Sequence, residues 1–289
     1  MQRLNALLRW LPLMVLTVAP LAAQPISSDQ SRSSDQSRSS AQASAPAPIP
    51  LELAQVVKRY PHDPRAFTQG LFIDRGQLFE STGELGRSSV REVDLASGKV
   101  LRSVAIAAPQ FGEGIAPWQG QILSLTWRDG VGYRWDRKTF KRLGSFRYSG
   151  EGWSLTSTGK QLVMSDGTDV LRFIDPRDFT VKRRLKVTVQ GRPLQLLNEL
   201  EWVDGQVLAN VWMTDYAVRI DPLSGQVVGL IDLTVLHREA GVFGQDQVAN
   251  GIAWDQRSRK LYFTGKEWPA LFEVKLVPAP PKKARAPQK

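Results

Sequence analysis

The sequence has no cysteine among its 289 residues. Disulfides, thiolate metal sites and a lipid-bearing cysteine behind an export signal are therefore excluded. Histidine is almost as scarce, with only His62 and His237. Two imidazoles and no thiol make a poor zinc-hydrolase site, so neither a catalytic metal nor a cofactor is expected. A structural ion held by carboxylates stays open. Long apolar runs are also lacking. The one candidate, Leu11 to Leu21, is about half the ~20 residues of a spanning helix, so stable membrane insertion is not expected. Arg3 and Arg9 flank this run on one side and Ala22 and Ala23 on the other. Residues 1–23 thus read as a secretory signal, and a periplasmic or secreted protein is expected.

What is abundant is positive charge and turn-forming residues. The formal net charge is +10. The basic residues are scattered and no nucleic-acid module is recognisable, so nucleic acid is not an expected partner. Solubility and attraction to anionic surfaces explain the charge more simply. Residues 24–50 are mostly Ser, Gln, Ala and Pro, and the hexad Ser27-Ser28-Asp29-Gln30-Ser31-Arg32 is repeated at once from Ser33 to Arg38. Such a segment buries no apolar surface and reads as a disordered linker. Residues 278–289 read as a basic, Pro-rich tail, which leaves 51–277 as the folded domain.

Internal repeats decide the fold. Gly112 to Trp127 aligns without a gap on Leu197 to Trp212. Each contains a strand, a Gly-Gln turn, a second apolar strand and a final Trp. Three more copies run from Gln69 to Gly83, Glu151 to Gly167 and Asn250 to Lys266. After the hairpins comes a second unit opened by Asp94, Asp136, Asp175 and Asp221, spaced 42, 39 and 46 residues apart. Each Asp suits a turn between a third and a fourth strand. Four strands per repeat of this length predict an all-β, five-bladed β-propeller of four-stranded blades. Five hairpins but four outer turns leave one strand missing. Leu53 to Tyr60 supplies it by pairing with Leu271 to Val274, so that an N-terminal strand closes the ring in the last blade. No long helix pattern competes with this reading, and Leu233 to Ala240 has room for a short turn.

The innermost hairpins of a propeller line its channel. The repeat alignment therefore groups Gln69, Glu113, Glu151, Asn198 and Asn250 in one ring. Gly83, Trp127, Gly167, Trp212 and Lys266 form the companion ring. Acids, amides, tryptophans and one lysine at a single mouth make a small-ligand site. Packing alone would explain the tryptophans, and backbone capping would explain Glu151. A partly desolvated Glu113 and a lysine where two other blades carry Trp are harder to explain that way.

The same residues carry a resemblance. Tyr60-Pro61-His62-Asp63-Pro64-Arg65-Ala66-Phe67-Thr68-Gln69-Gly70-Leu71, Phe111-Gly112-Glu113-Gly114, Leu197-Asn198-Glu199-Leu200-Glu201, Ala209-Asn210-Val211-Trp212 and Thr264-Gly265-Lys266-Glu267-Trp268-Pro269 resemble the glutamine cyclotransferases of plant and bacterial type. The likeness implies cyclisation of N-terminal glutamine to pyroglutamate with release of ammonia. It also implies a site made of Phe67, Gln69, Glu113, Trp127, Trp153, Asn198, Trp212 and Lys266. In the chemistry so expected, Glu113 shuttles the proton, and Lys266, with Asn198 or Gln69, supports the oxyanion. The expected partners are peptides or proteins with N-terminal Gln, and a monomer is expected. Two other readings stand beside this one. The first is a non-catalytic protein-binding propeller of the cell envelope. The second is a metal-dependent propeller lactonase or hydrolase, in which Glu113, Asn198 and Asn250 would hold the ion.

Overall fold

The computed structural model describes residues 48–280. The sequence assignments for the signal, most of the linker and the end of the basic tail fall outside this range. Strand β1 (Leu51–Pro61) is followed by four hairpin-connected groups. The first holds β2 (Thr68–Asp74), β3 (Gln77–Thr82), β4 (Ser89–Val93) and β5 (Val100–Ala105). The second holds β6 (Gly112–Trp118), β7 (Gln121–Thr126), β8 (Val131–Asp136) and β9 (Arg142–Arg147). The third is β10 (Ser154–Ser157), β11 (Leu162–Ser165), β12 (Val170–Ile174) and β13 (Val181–Lys186), trailed by the short pair β14 (Thr188–Val189) and β15 (Arg192–Pro193). The fourth is β16 (Leu197–Val203), β17 (Gln206–Val211), β18 (Tyr216–Ile220) and β19 (Val227–Asp232). Helix α1 (Thr234–Ala240) then leads to β20 (Ala249–Asp255), β21 (Lys260–Gly265) and β22 (Ala270–Pro278).

The first three groups are separate antiparallel sheets of four strands. The rest form one eight-stranded sheet in the order β16-β17-β18-β19-β1-β22-β21-β20. Strand β1 is its hinge. It runs antiparallel to β22, with Tyr60 opposite Leu271 and Val56 opposite Val274. On its other side it runs parallel to β19 over Leu51 to Leu53. The pairing expected between the N-terminal strand and the last hairpin is therefore formed. The Pro50 carbonyl accepts a bond from Leu230 and the Leu51 carbonyl one from Ala279, so backbone order extends slightly beyond both expected domain limits. The result is an all-β, propeller-like molecule. Its leading strands touch in the order β2, β6, β10, β16, β20 and back to β2.

Position within each sheet explains the residues chosen. Leading strands such as β2 and β6 are buried on both faces, because adjacent sheets cover them on either side. They accordingly read as runs of small and apolar residues rather than as an alternating pattern. Outer strands such as β5 and β13 are largely exposed and carry the arginines and lysines. Close approach of the leading strands also requires missing side chains. A Cβ on Gly114 would lie 2.4 Å from Ser154 Cα, and one on Gly70 would lie 2.7 Å from the Ile115 nitrogen.

The Asp turns form as expected. The Oδ1 atoms of Asp94, Asp136 and Asp221 accept backbone N–H bonds from Ser97, Thr139 and Ser224. Four residues after each Asp the chain turns left-handed, with glycine in two turns and Phe140 (φ 60°) and Phe179 (φ 62°) in the other two. Both phenylalanines are buried in inter-sheet cores, and this burial offsets a backbone conformation that Gly adopts more cheaply.

Candidate active site

Hairpin register determines which residues reach the channel mouth. In β6–β7, Gly112 pairs with Thr126 and Ile115 with Ser124, leaving Glu113 and Gly114 in a bulge. Equivalent irregularities hold Gln69, Asn198 and Asn250. These residues thus occupy one ring, as the repeat alignment predicts. The third sheet departs from the prediction. Leu155 pairs with Met164 as Leu71 pairs with Glu80, which puts Trp153, two residues before that leucine, in the ring position. The alignment had given this place to Glu151, a slip of two residues. The companion ring is marked by a shared backbone bond. Trp127, Trp212 and Lys266 each donate to a carbonyl just before the leading strand, at Phe111, Leu196 and Val248. Gly83 donates likewise to Phe67.

Glu113 and Lys266 are both 5% exposed and Asn198 is 3% exposed. Gln69 Nε2 donates to Glu113 Oε1 at 3.0 Å, and Gln69 Oε1 accepts from Asn250 Nδ2 at 3.2 Å. Asn250 also donates to the Thr68 carbonyl at 2.8 Å. The carboxyl of Glu113 is thus held by a two-amide relay from the neighbouring sheets. Its backbone carbonyl is pinned by Ser81 Oγ at 2.6 Å, just as Ser165 Oγ pins that of Asn198 at 2.7 Å. Burial pushes the Glu113 carboxyl well above its ordinary range, Lys266 opposes the shift and Glu151 adds to it. Burial lowers the Lys266 ammonium, while Glu113, Asp246 and Glu84 counteract. Lys266 Nζ sits over the Phe67 ring, 4.6 Å from its centroid. Asn198 Oδ1 is buried with no partner, an unmet acceptor of the kind that a bound ligand satisfies.

Aromatic rings wall the site. Phe67 meets Phe111 edge-on at 6.1 Å, and Phe111 meets Trp127 at 5.8 Å. Trp153 meets Trp212 edge-on at 5.5 Å. All five rings are part-exposed. Glycines make room for them, since a Cβ on Gly83 would lie 2.3 Å from Phe111 and one on Gly167 2.6 Å from Trp153. The eight residues of the expected site therefore surround one mouth. Three further contributors were not among them: Phe111, which the motif Phe111-Gly112-Glu113 contained, Asn250, which the repeat alignment had already put in the ring, and Glu151.

Below the mouth, the channel is filled by a different acid. Glu199 stands where Gly70, Gly114 and Gly251 stand in other hairpins. Its two oxygens accept from the Leu71 nitrogen at 3.2 Å and the Ile252 nitrogen at 2.9 Å. The two histidines lie elsewhere. His62 Nε2 is 3.0 Å from Glu80 Oε1, which also accepts from Thr68 Oγ1, while Glu80 Oε2 accepts from Arg91. His237 pairs with Asp215 at 2.6 Å. Among the described residues no three carboxylates or imidazoles converge as metal ligands do. At the opposite end of the channel a cavity of about 480 Å³ opens among Trp118, Trp202, Trp254 and Glu201. None of the expected site residues lines it, and the Glu201 oxygens are already engaged by Trp254, Thr156 and Trp202.

Comparisons with known proteins identify the family. A family model described as Glutamine cyclotransferase matches residues 30–276, a stretch that begins inside the Ser/Gln/Pro-rich segment. A glutaminyl-peptide cyclotransferase of Arabidopsis thaliana is 41% identical over 230 residues, covering 78% of this chain and 72% of that protein. The crystal structure of Myxococcus xanthus glutaminyl cyclase superposes with a TM-score of 0.77 at 36% identity, covering 81% of this chain and all of the other. This chain belongs to the glutamine cyclotransferase family.

Proposed function

We propose that the protein converts the N-terminal glutamine of peptides and proteins to pyroglutamate with release of ammonia, at the mouth lined by Glu113 and Lys266. The observation that carries this reading is a buried carboxyl of raised pKa, held by Gln69 and coupled to Lys266 inside an aromatic wall. The substrate's α-amine attacks its own γ-amide carbonyl. A wall of Trp and Phe that folds the glutamine into a near-attack shape supplies much of the acceleration. Glu113, as carboxylate, takes the proton from the attacking amine and returns it to the leaving ammonia. Its raised pKa makes the carboxylate a stronger base toward the attacking amine. Lys266 supplies fixed positive charge for the tetrahedral oxyanion. Asn198 adds its Nδ2 as an oxyanion donor and offers the orphaned Oδ1 to a substrate N–H. No step requires a metal, so activity in EDTA is expected and separates this reading from a metal-dependent hydrolase.

The fold is read as five four-stranded blades, with the eight-stranded sheet divided at the parallel β19–β1 join. The ring of leading-strand contacts supports that count. The mature protein is read as an exported monomer with residues 24–50 as a linker. Intact-mass analysis of the purified envelope fraction checks the export signal.

The direct test is incubation with a peptide beginning with Gln, followed by mass spectrometry for loss of one ammonia. Glu113→Gln is expected to lower kcat by about 10²–10⁴-fold with little change in binding. Retained turnover in that variant would remove Glu113 from the proton-shuttle role. No turnover by the wild type on any N-terminal Gln peptide would favour a non-catalytic binding propeller.

A further inference from the structure

Glu151 is absent from the expected catalytic set, yet it makes an unusual group of contacts. Its Oε2 accepts the indole N–H of Trp127 at 2.7 Å and that of Trp153 at 2.8 Å. Its Oε1 accepts from Arg128 Nε at 2.9 Å. Arg128 in turn lies over the Trp127 ring, 3.7 Å from the centroid. Trp127 follows β7 and Trp153 precedes β10, so one carboxylate ties together rings from two sheets. From these two indoles the wall continues in both directions, through Phe111 to Phe67 and Lys266 on one side and to Trp212 on the other. Trp153 is held at its far end as well, where Gly167 leaves no Cβ to displace it.

The geometry points to Glu151 as a positioning residue for cyclisation: its carboxylate clamps Trp127 and Trp153 together and so fixes the aromatic wall against which the substrate glutamine is folded. This role rests on the proposed function of the mouth. The reasoning is chemical. A tryptophan is a donor only, and a charged acceptor binds an indole N–H more strongly than a neutral one. A part-exposed wall without such an anchor would sample other rotamers and lose the near-attack shape. Glu151 touches neither reacting atom, so it acts through the rings. Against the burial that would raise it, hydrogen bonds from Trp153, Arg128 and Trp127 keep its carboxyl below the ordinary range, so it stays an anion where the enzyme works. That anion also faces Glu113. The charged groups around the pair are Arg128 on Glu151, Lys266 by Glu113, and Arg172, which donates to the Glu151 carbonyl and pairs with Asp166.

The test compares wild type, Glu151→Gln and Glu151→Ala in three measurements. Steady-state kinetics with a Gln-peptide should show kcat/KM lowered by about tenfold to a hundredfold in Glu151→Ala, the scale of a small misplacement of the substrate. Glu151→Gln keeps one acceptor oxygen and should recover part of the loss. Two indole N–H resonances in the ¹H–¹⁵N spectrum, assigned to Trp127 and Trp153 by single substitution, should move in both variants. The acid limb of kcat/KM should shift to lower pH, because removing the Glu151 charge removes one influence that raises Glu113. A purely structural role would lower the melting temperature without displacing the two indole signals or being rescued by Gln. Kinetics within twofold of wild type in Glu151→Ala, or unmoved indole signals, overturns the clamp. Full turnover in Glu113→Gln instead overturns the underlying site assignment, so the two failures are distinguishable.

Discussion

At the scale of single residues, the site works by setting charges against burial. Glu113 and Lys266 are both desolvated, and each pulls the other back toward its charged form. That coupling gives a signed prediction. Replacing Lys266 by Met removes the influence that lowers the Glu113 pKa, so the acid limb of kcat/KM should move to higher pH, opposite to the shift expected for Glu151→Gln. The same change removes oxyanion support and should reduce kcat by about 10²–10³-fold. A pH–rate series on the variant checks both, and an unmoved limb would separate the limb from Glu113. Repeat position exposed Gln69, Glu113, Asn198, Trp127, Trp212 and Lys266, and the family resemblance added Phe67 and Trp153. Lys266 stood out further because lysine is seldom buried without purpose. Glu151 was misassigned because β10 is shorter than its counterparts and begins after the Trp. Counting from Gly152 then put the acid where the indole belongs.

At the scale of elements, the hairpins were legible because their turns and their two-sided burial leave clear marks in sequence. The bulges at Gln69, Glu113, Asn198 and Asn250 were not, because a bulge is a property of the pairing between strands. Glycines next to these bulges let neighbouring leading strands touch. Gly114→Ala would push a methyl to 2.4 Å from the Ser154 backbone, where no flexible side chain can yield. A loss of about 1–3 kcal/mol is expected, the range for overpacking a closed interior, measured as a lower urea midpoint. Activity should fall with it, since Glu113 is the preceding residue. Wild-type stability in this variant would mean that the second and third sheets are less tightly joined than the distances indicate.

For the whole molecule, ring closure and buried carboxyls set stability. Strand β1 joins the first-formed end of the chain to the last sheet, and Arg219 reinforces the join through Glu52. Burial raises Glu199 and pushes Glu201 up to about 8, against the hydrogen bonds from Trp254, Thr156 and Trp202 that lower it. A carboxyl raised in the folded state holds its proton there while the unfolded chain releases it. Its stabilising contribution is complete below the unfolded value near ~4.3 and is lost as pH rises through the folded one. Glu201→Gln cannot titrate. The wild type should therefore lose urea resistance relative to Glu201→Gln between about pH 4.3 and pH 8. Parallel denaturation curves across that window would sink the idea. Glu80 contributes in the opposite sense. Against a burial penalty, His62 and Arg91 hold it at about 2, so its contribution is complete above the unfolded value near ~4.3 and is lost as pH falls through the folded one.

Sequence by itself determined the repeat, the all-β class, the pairing of the N-terminal strand with the last hairpin, and the residue types at the mouth. These follow from local turn chemistry, from burial pattern and from counting, all of which are properties of the chain in order. Tertiary structure alone decided that Trp153 rather than Glu151 enters the ring, that Glu199 fills the channel, and that Asn250 and Gln69 relay to Glu113. Those facts depend on inter-strand register and on side chains meeting across sheets, where residues distant in sequence compete for the same few ångströms.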